Sequence, residues 1–269
     1  MDAIGVFDSG VGGLTVVAAL RRRLPRESIL YLGDTARLPY GSKSPETVTR
    51  YTRRNIEFLV ERGVKAVVVA CNTASALALE HVHLADGMPL WGVIEPGARR
   101  AAEVSRGRVG VIATEATVRS DAYPRALRRL RPDLAVVSRA CPLFVPLVEE
   151  GWQDDDFVTT RIAERYLAPL LAAEIDTLVL GCTHYPLLKS VLAQVAGPAV
   201  TLVDSAEAVA EVVATGLAEA GLARSEEGGQ SGEIGTQHLC VTDGGESFKL
   251  VAGRILGDPD LPLEWVEVV

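Results

Sequence analysis

No apolar run in this 269-residue chain approaches the ~18–20 residues needed to span a bilayer. The first residues, Met1-Asp2-Ala3-Ile4-Gly5, lead straight into a strand pattern with an acidic second position, not the basic start and apolar core of a secretion signal. A cytoplasmic protein without membrane contact is expected. Basic excess is also lacking: net charge is -8 and the isoelectric point about 5.2, which speaks against nucleic acid as a partner. The local clusters Arg21-Arg22-Arg23 and Arg125 to Arg131 lie in helical patterns and read as solvated helix faces. There is no C-x-x-C pair and no histidine pair at helical i,i+4 spacing, so no metal site is expected. The glycines of Asp8-Ser9-Gly10-Val11-Gly12-Gly13 have the wrong spacing for a dinucleotide fingerprint, and neither Gly33 nor Gly41-Ser42-Lys43 fits a phosphate loop. With no cofactor signature, any chemistry must come from side chains.

Cysteine is scarce, and its placement is informative. Cys71 ends the apolar run from Ala66 to Ala70 and precedes Asn72-Thr73; Cys182 ends the run from Thr177 to Gly181 and precedes Thr183-His184. Short β-branched apolar runs read as buried strands. Each therefore delivers a thiol at a strand's carboxyl end, where open α/β sheets bind ligands. Two thiols so presented, one per half of the chain, suggest an acid-base group on either side of one substrate. Cys141 and Cys240 have no such neighbours and read as packing residues. In a reducing compartment all four are expected to be free thiols.

Strand and helix patterns alternate throughout, the signature of parallel α/β sheets. Strands are expected near Ala3–Phe7, Ile29–Leu32, Ala66–Ala70 and Leu90–Ile94, then near Val109–Ala113, Leu134–Ser138, Thr177–Gly181 and Val200–Val203. Helices are expected near Gly13–Leu24, Pro45–Arg62, Ala74–Leu84, Thr117–Leu130, Asp155–Ala173 and Pro186–Val195. A helix over Ala206–Ala220, a loop over Gly221–Thr236, a strand at His238–Thr242, a helix at Ser247–Leu256 and a last strand at Leu263–Val268 complete the reading. The halves correspond strand for strand. The expected fold is two similar parallel-sheet α/β lobes related by a pseudo-twofold, residues 1–95 plus 206–269 and residues 96–205, with the site in the cleft between them.

His184, two residues beyond Cys182, can exchange a proton with a thiol near neutral pH. His81 and His83 point to different helix faces and read as structural or surface residues. The glycines after Asp8 free backbone N–H groups at a helix start, better suited to a carboxylate than a pyrophosphate, unless Asp8 itself caps the helix. Asp34-Thr35 closes the second strand, and the turn at Pro39-Tyr40-Gly41 could bring the backbone of Tyr40 and Gly41 to a ligand or simply pack.

The stretches Gly5 to Val17 (GVFDSGVGGLTVV), Tyr31 to Ser44 (YLGDTARLPYGSKS), Ala70 to Ala76 (ACNTASA), Cys141 to Gly151 (CPLFVPLVEEG), Leu180 to Leu188 (LGCTHYPLL) and Val241 to Gly257 closely resemble the glutamate racemase family, within the aspartate/glutamate racemase superfamily. The resemblance covers essentially the whole chain. It implies a cofactor-independent enzyme interconverting L- and D-glutamate for peptidoglycan, commonly a homodimer. Cys71 and Cys182 match the two catalytic cysteines, with Cys71 acting on D-glutamate and Cys182 on the L-enantiomer. Asp8 and His184 match their assistants, and Glu149 a further acid, with Glu150 beside it. Ser9, Tyr40, Gly41, Asn72, Thr73, Thr114 and Thr183, with Asp8 and His184, match substrate-contacting positions. Rival readings are an aspartate or other amino-acid racemase, a Cys182–His184 hydrolase that would leave Cys71 unused, and a two-lobed binding or regulatory protein.

Overall fold

The computed structural model describes residues 2–84, 87–152, 156–224, 234–258, 260 and 262–268. Among the described residues, ten strands form two wholly parallel sheets. Strands β1 (Ala3–Asp8), β2 (Ser28–Gly33), β3 (Ala66–Val69) and β4 (Leu90–Gly92) run in the order β2-β1-β3-β4. Strands β5 (Arg108–Ala113), β6 (Ala135–Ala140), β7 (Thr177–Gly181) and β8 (Thr201–Asp204) repeat that order as β6-β5-β7-β8. The internal repeat read from the sequence is therefore repeated in topology. In both sheets the chain turns to one side after its first strand and returns to the other side with its third. The crevice at such a reversal, beyond the strands' carboxyl ends, is where open parallel sheets take ligands. Strands β9 (Gln237–Val241) and β10 (Leu263–Trp265) extend the first sheet beyond β2.

Residues of β1, β3 and β7 are buried along their whole length, as expected for parallel strands covered on both faces. On β1, Ile4 and Val6 pack toward helices α1 (Leu14–Arg23) and α10 (Ser205–Glu219), while Ala3 and Phe7 face α2 (Pro45–Glu61). The second sheet is covered likewise: α4 (Ile94–Val104) and α6 (Ala122–Leu130) lie on one face, α8 (Phe157–Ala172) and α9 (Lys189–Ala196) on the other. Helix α10 packs on both α1 and α4 and so joins the two sheet systems.

Several elements differ from the sequence reading. The helix expected over Thr117–Leu130 is two, α5 (Glu115–Arg119) and α6, because Asp121 adopts a left-handed conformation between them. The helix expected over Ala74–Leu84 starts earlier and ends sooner, as α3 (Asn72–Leu77) followed by a 3₁₀ turn at Leu79–His81. The expected strand Leu90–Ile94 stops at Gly92, since Ile94 already begins α4. Helices α4 and α7 (Phe144–Glu149) had no counterpart in the periodicity reading. Asp155 and residues 225–233 of the expected loop lie outside the described residues. Helix α11 (Glu246–Leu256) agrees with the sequence reading. Among the described residues no helix is long and apolar enough to cross a membrane.

Candidate active site

Both thiols open on one cavity of about 380 Å³, also lined by Ser9, Asn72, Thr73, Thr114, Thr183, His184 and Glu149. Each thiol arrives where the sequence places it, just past the end of a third strand. Cys71 caps α3, its Sγ accepting from the Ala74 N–H at 3.5 Å. Its Sγ also lies 3.7 Å from Ser9 Oγ, which receives a hydrogen bond from the thiol. Burial pushes the Cys71 thiol well up, and the charge of Asp8 adds to this; the Ala74 N–H and the Ser9 hydroxyl pull it back.

Cys182 has a different neighbour. Its Sγ is 3.8 Å from His184 Nδ1, and His184 Nε2 lies 2.5 Å from Glu149 Oε1. Burial works against a charged imidazole here, but the contacts with Cys182 and Glu149 outweigh it and raise the His184 pKa well above the usual value. The neighbouring Glu150 is exposed and makes no such contact, so Glu149 is the acid that reaches the histidine. One thiol thus sits beside a hydroxyl and an amide, the other beside an imidazole–carboxylate pair.

Asp8 does not line the cavity. It is fully buried behind the wall, with Oδ2 accepting from Gly10 N (3.1 Å) and Gly13 N (3.0 Å) and Oδ1 accepting from Thr183 Oγ1 (3.3 Å). The carboxylate expected at these glycine N–H groups is therefore supplied by the chain itself. Burial raises the Asp8 pKa, opposed by the charge of His184 and the two backbone donors. The glycines have a second function, close approach. A Cβ on Gly12 would stand 2.5 Å from His184 Nδ1 and 2.6 Å from Thr183 Oγ1, so only glycine lets this loop of the first sheet lie against the second sheet's catalytic candidates.

The turn Tyr40–Ser42 closes one wall, and a Cβ on Gly41 would meet Thr114 Cβ at 2.7 Å. Tyr40 borders the cavity, yet its phenol donates to Asp34 and accepts from Asn55 Nδ2 at 3.0 Å. Any ligand contact from Tyr40 therefore falls to its backbone groups. Asp34, itself buried, also accepts from Arg37 Nε at 2.8 Å and Thr242 Oγ1 at 3.2 Å, so its charge is well satisfied and it anchors the turn.

Three hydroxyls gather across the cleft: Thr73 Oγ1 lies 2.9 Å from that of Thr114 and 3.2 Å from that of Thr117, and the last two are 3.0 Å apart. Thr117 was not among the residues expected from the sequence. The only signal for it is its place three residues after Thr114, the spacing at which a cap residue meets its helix; Thr114 does accept from the Thr117 N–H at 3.3 Å. No lysine or arginine lines the cavity among the described residues.

Elsewhere, Cys141 and Cys240 are buried and free, and His81 and His83 are exposed. His238, Cys240 and Glu264 bring potential ligand atoms within 4.8 Å of one another. They were missed because the sequence was searched for helical spacings, whereas a strand presents one face at i,i+2. Arg62 binds the same Glu264 carboxylate at 3.1 Å, so the group also ties β9 and β10 to α2.

A model of the Asp/Glu/hydantoin racemase family matches residues 13–213. The glutamate racemase of Geobacter metallireducens is 56% identical over 256 residues, 95% of this chain and 93% of that protein. This chain belongs to the Asp/Glu/hydantoin racemase family. The family resemblance read from the motifs is borne out, and the protein is a racemase, an isomerase. Solved relatives share its whole fold. The racemase superposes on the glutamate racemase of Bacillus anthracis with a TM-score of 0.91 at 41% identity, covering 99% of this chain and 98% of that one. On the glutamate racemase of Francisella tularensis in complex with D-glutamate the TM-score is 0.90 at 36% identity, again covering 99% and 98%.

Proposed function

We propose that this racemase interconverts L- and D-glutamate by proton transfer at Cα between two opposed thiols, Cys71 and Cys182, without a cofactor. The observation that carries the reading is the pair of buried thiols at the ends of equivalent strands, sharing one cavity. The glutamate racemases of closely similar sequence and the D-glutamate held by the Francisella structure support the substrate.

Racemisation takes a weakly acidic proton from one face of Cα and returns one to the other. A single base would have to swing around the substrate; two need not. With L-glutamate, Cys182 as thiolate takes the proton, and Cys71 as thiol delivers one to the opposite face. With D-glutamate the roles exchange. A thiolate at Cys71 is scarce because burial and Asp8 disfavour it, but the same desolvation makes it a stronger base toward a weakly acidic C–H. His184, held by Glu149, gives and takes the proton that switches Cys182 between its two forms. Asp8 acts from behind the wall, through its charge on Cys71 and its hold on Thr183. Negative charge spreading onto the substrate carboxylate in the transition state needs preset donors. The hydroxyls of Thr73 and Thr114, the amide of Asn72 and the backbone of the Tyr40–Gly41 turn fill that role, in a wall lined by no lysine or arginine among the described residues. The protein's place is the supply of D-glutamate to peptidoglycan, as a cytoplasmic homodimer.

Circular dichroism tests this. Purified protein is expected to drive the optical signal of L-glutamate to zero, at a rate unchanged by excess EDTA, and to act on aspartate far more slowly. Loss of activity on chelation, restored by added metal, would overturn the cofactor-free chemistry. Equal rates on aspartate would overturn the substrate.

A further inference from the structure

Asn72 lines the cavity and is 2% exposed, and its Nδ2 has no hydrogen-bond partner. Its Oδ1 is engaged: it accepts from the hydroxyl of Tyr123 at 2.7 Å. Tyr123 is itself 1% exposed and does not touch the cavity. Its ring fills a slot that two glycines leave open, since a Cβ on Gly97 would stand 3.1 Å from the phenol oxygen and one on Gly181 3.0 Å from Cε2. Asn72 begins α3 after a strand of the first sheet; Tyr123 belongs to α6 on the second. The bond therefore crosses the cleft behind the site.

A buried primary amide carries two donors and one acceptor group, and the partner on the acceptor decides where the donors point. A phenol can donate to Oδ1, and while it does, the NH₂ is left for a ligand. A buried NH₂ with no partner is destabilising, and that cost is removed when a carboxylate oxygen accepts from it.

We propose that Tyr123 is a positioning residue, which locks the Asn72 amide with its NH₂ presented to a carboxylate of the bound amino acid. Because the two side chains sit on different sheet systems, the donor is set only when the cleft is closed, so ligand binding and closure support one another. This rests on the racemase reading of the cavity.

The test is a double-mutant cycle on the full-length protein, with Tyr123→Phe, Asn72→Ala and the combination, read as initial racemisation of L-glutamate and as thermal melting. Tyr123→Phe is expected to lower kcat/KM about tenfold, the scale of one lost hydrogen bond. The combined variant should be no slower than Asn72→Ala alone, because the phenol acts only through that amide. Gly97→Ala keeps the phenol but crowds its oxygen; it should also lower kcat/KM, and it remains informative if Tyr123→Phe does not fold. Penalties that multiply in the combined variant, or Tyr123→Phe or Gly97→Ala at the wild-type rate, would overturn the proposal. A wild-type protein inactive on glutamate would instead overturn the glutamate reading beneath it.

Discussion

Replacing Cys71 or Cys182 with serine is expected to stop racemisation in both directions while leaving the fold intact. Serine matches cysteine in size, so neither the α3 cap nor the turn after β7 should be lost. A hydroxyl holds its proton far more tightly than a thiol, so as a base near neutral pH it fails. The loss should be on the order of 10³-fold or more, toward the upper end of what a positioned acid or base contributes. Because the two enantiomers have equal free energy, kcat/KM must fall equally in the two directions, whichever cysteine is changed. Initial rates from each enantiomer, with melting curves as the control for folding, decide the matter. A Cys182→Ser enzyme near the wild-type rate would contradict the assignment.

The second large effect is expected at His184. His184→Asn should cost on the order of 10²-fold in kcat/KM, because Cys182 loses the group 3.8 Å away with which it exchanges its proton. Glu149→Gln should cost less but change the pH profile. The contact with Glu149 helps raise the His184 pKa; without that charge, burial is less opposed and the pKa falls. The alkaline limb of kcat/KM should therefore move to lower pH in Glu149→Gln. Stability follows the same sign. A raised histidine pKa stabilises the fold fully below its unfolded value, and that contribution is lost as pH rises through the folded value. An alkaline limb that stays in place in Glu149→Gln would show that the carboxylate does not act through His184.

The sheets were legible in the sequence because most of their strands are short, largely apolar runs, a signal that survives without knowledge of the partners. Both thiols were legible for the same reason, each standing at the end of such a run. What packs between the sheets was legible only in part, through α1 and α10. Helix α7 is six residues long, too short to show a period, and Glu149 on it was found by resemblance alone. The division of α5 from α6 depends on one left-handed residue, Asp121, which no periodicity reveals. Asp8 was legible as a residue at a strand end, but its side chain turns back to its own glycine amides and away from the cavity. Tyr123 left no local sign, since its role comes from a slot shaped by Gly97 and Gly181, distant in sequence and on different elements.

The central claim is that two thiols act from opposite faces of one α-carbon, and hydrogen isotope tracing in D₂O tests it most directly. Starting from L-glutamate, D-glutamate collected well before equilibrium should carry deuterium at Cα, because Cys71 has exchanged with solvent before it delivers. The L-glutamate recovered at the same time should remain largely protonated, since Cys182 holds the hydrogen that it would return. A single swinging base predicts early product that retains the substrate's hydrogen; a single base that exchanges with solvent predicts deuterium in the recovered substrate as well. Early D-glutamate mostly protonated at Cα, or recovered L-glutamate labelled as fast as product forms, would contradict two opposed thiols.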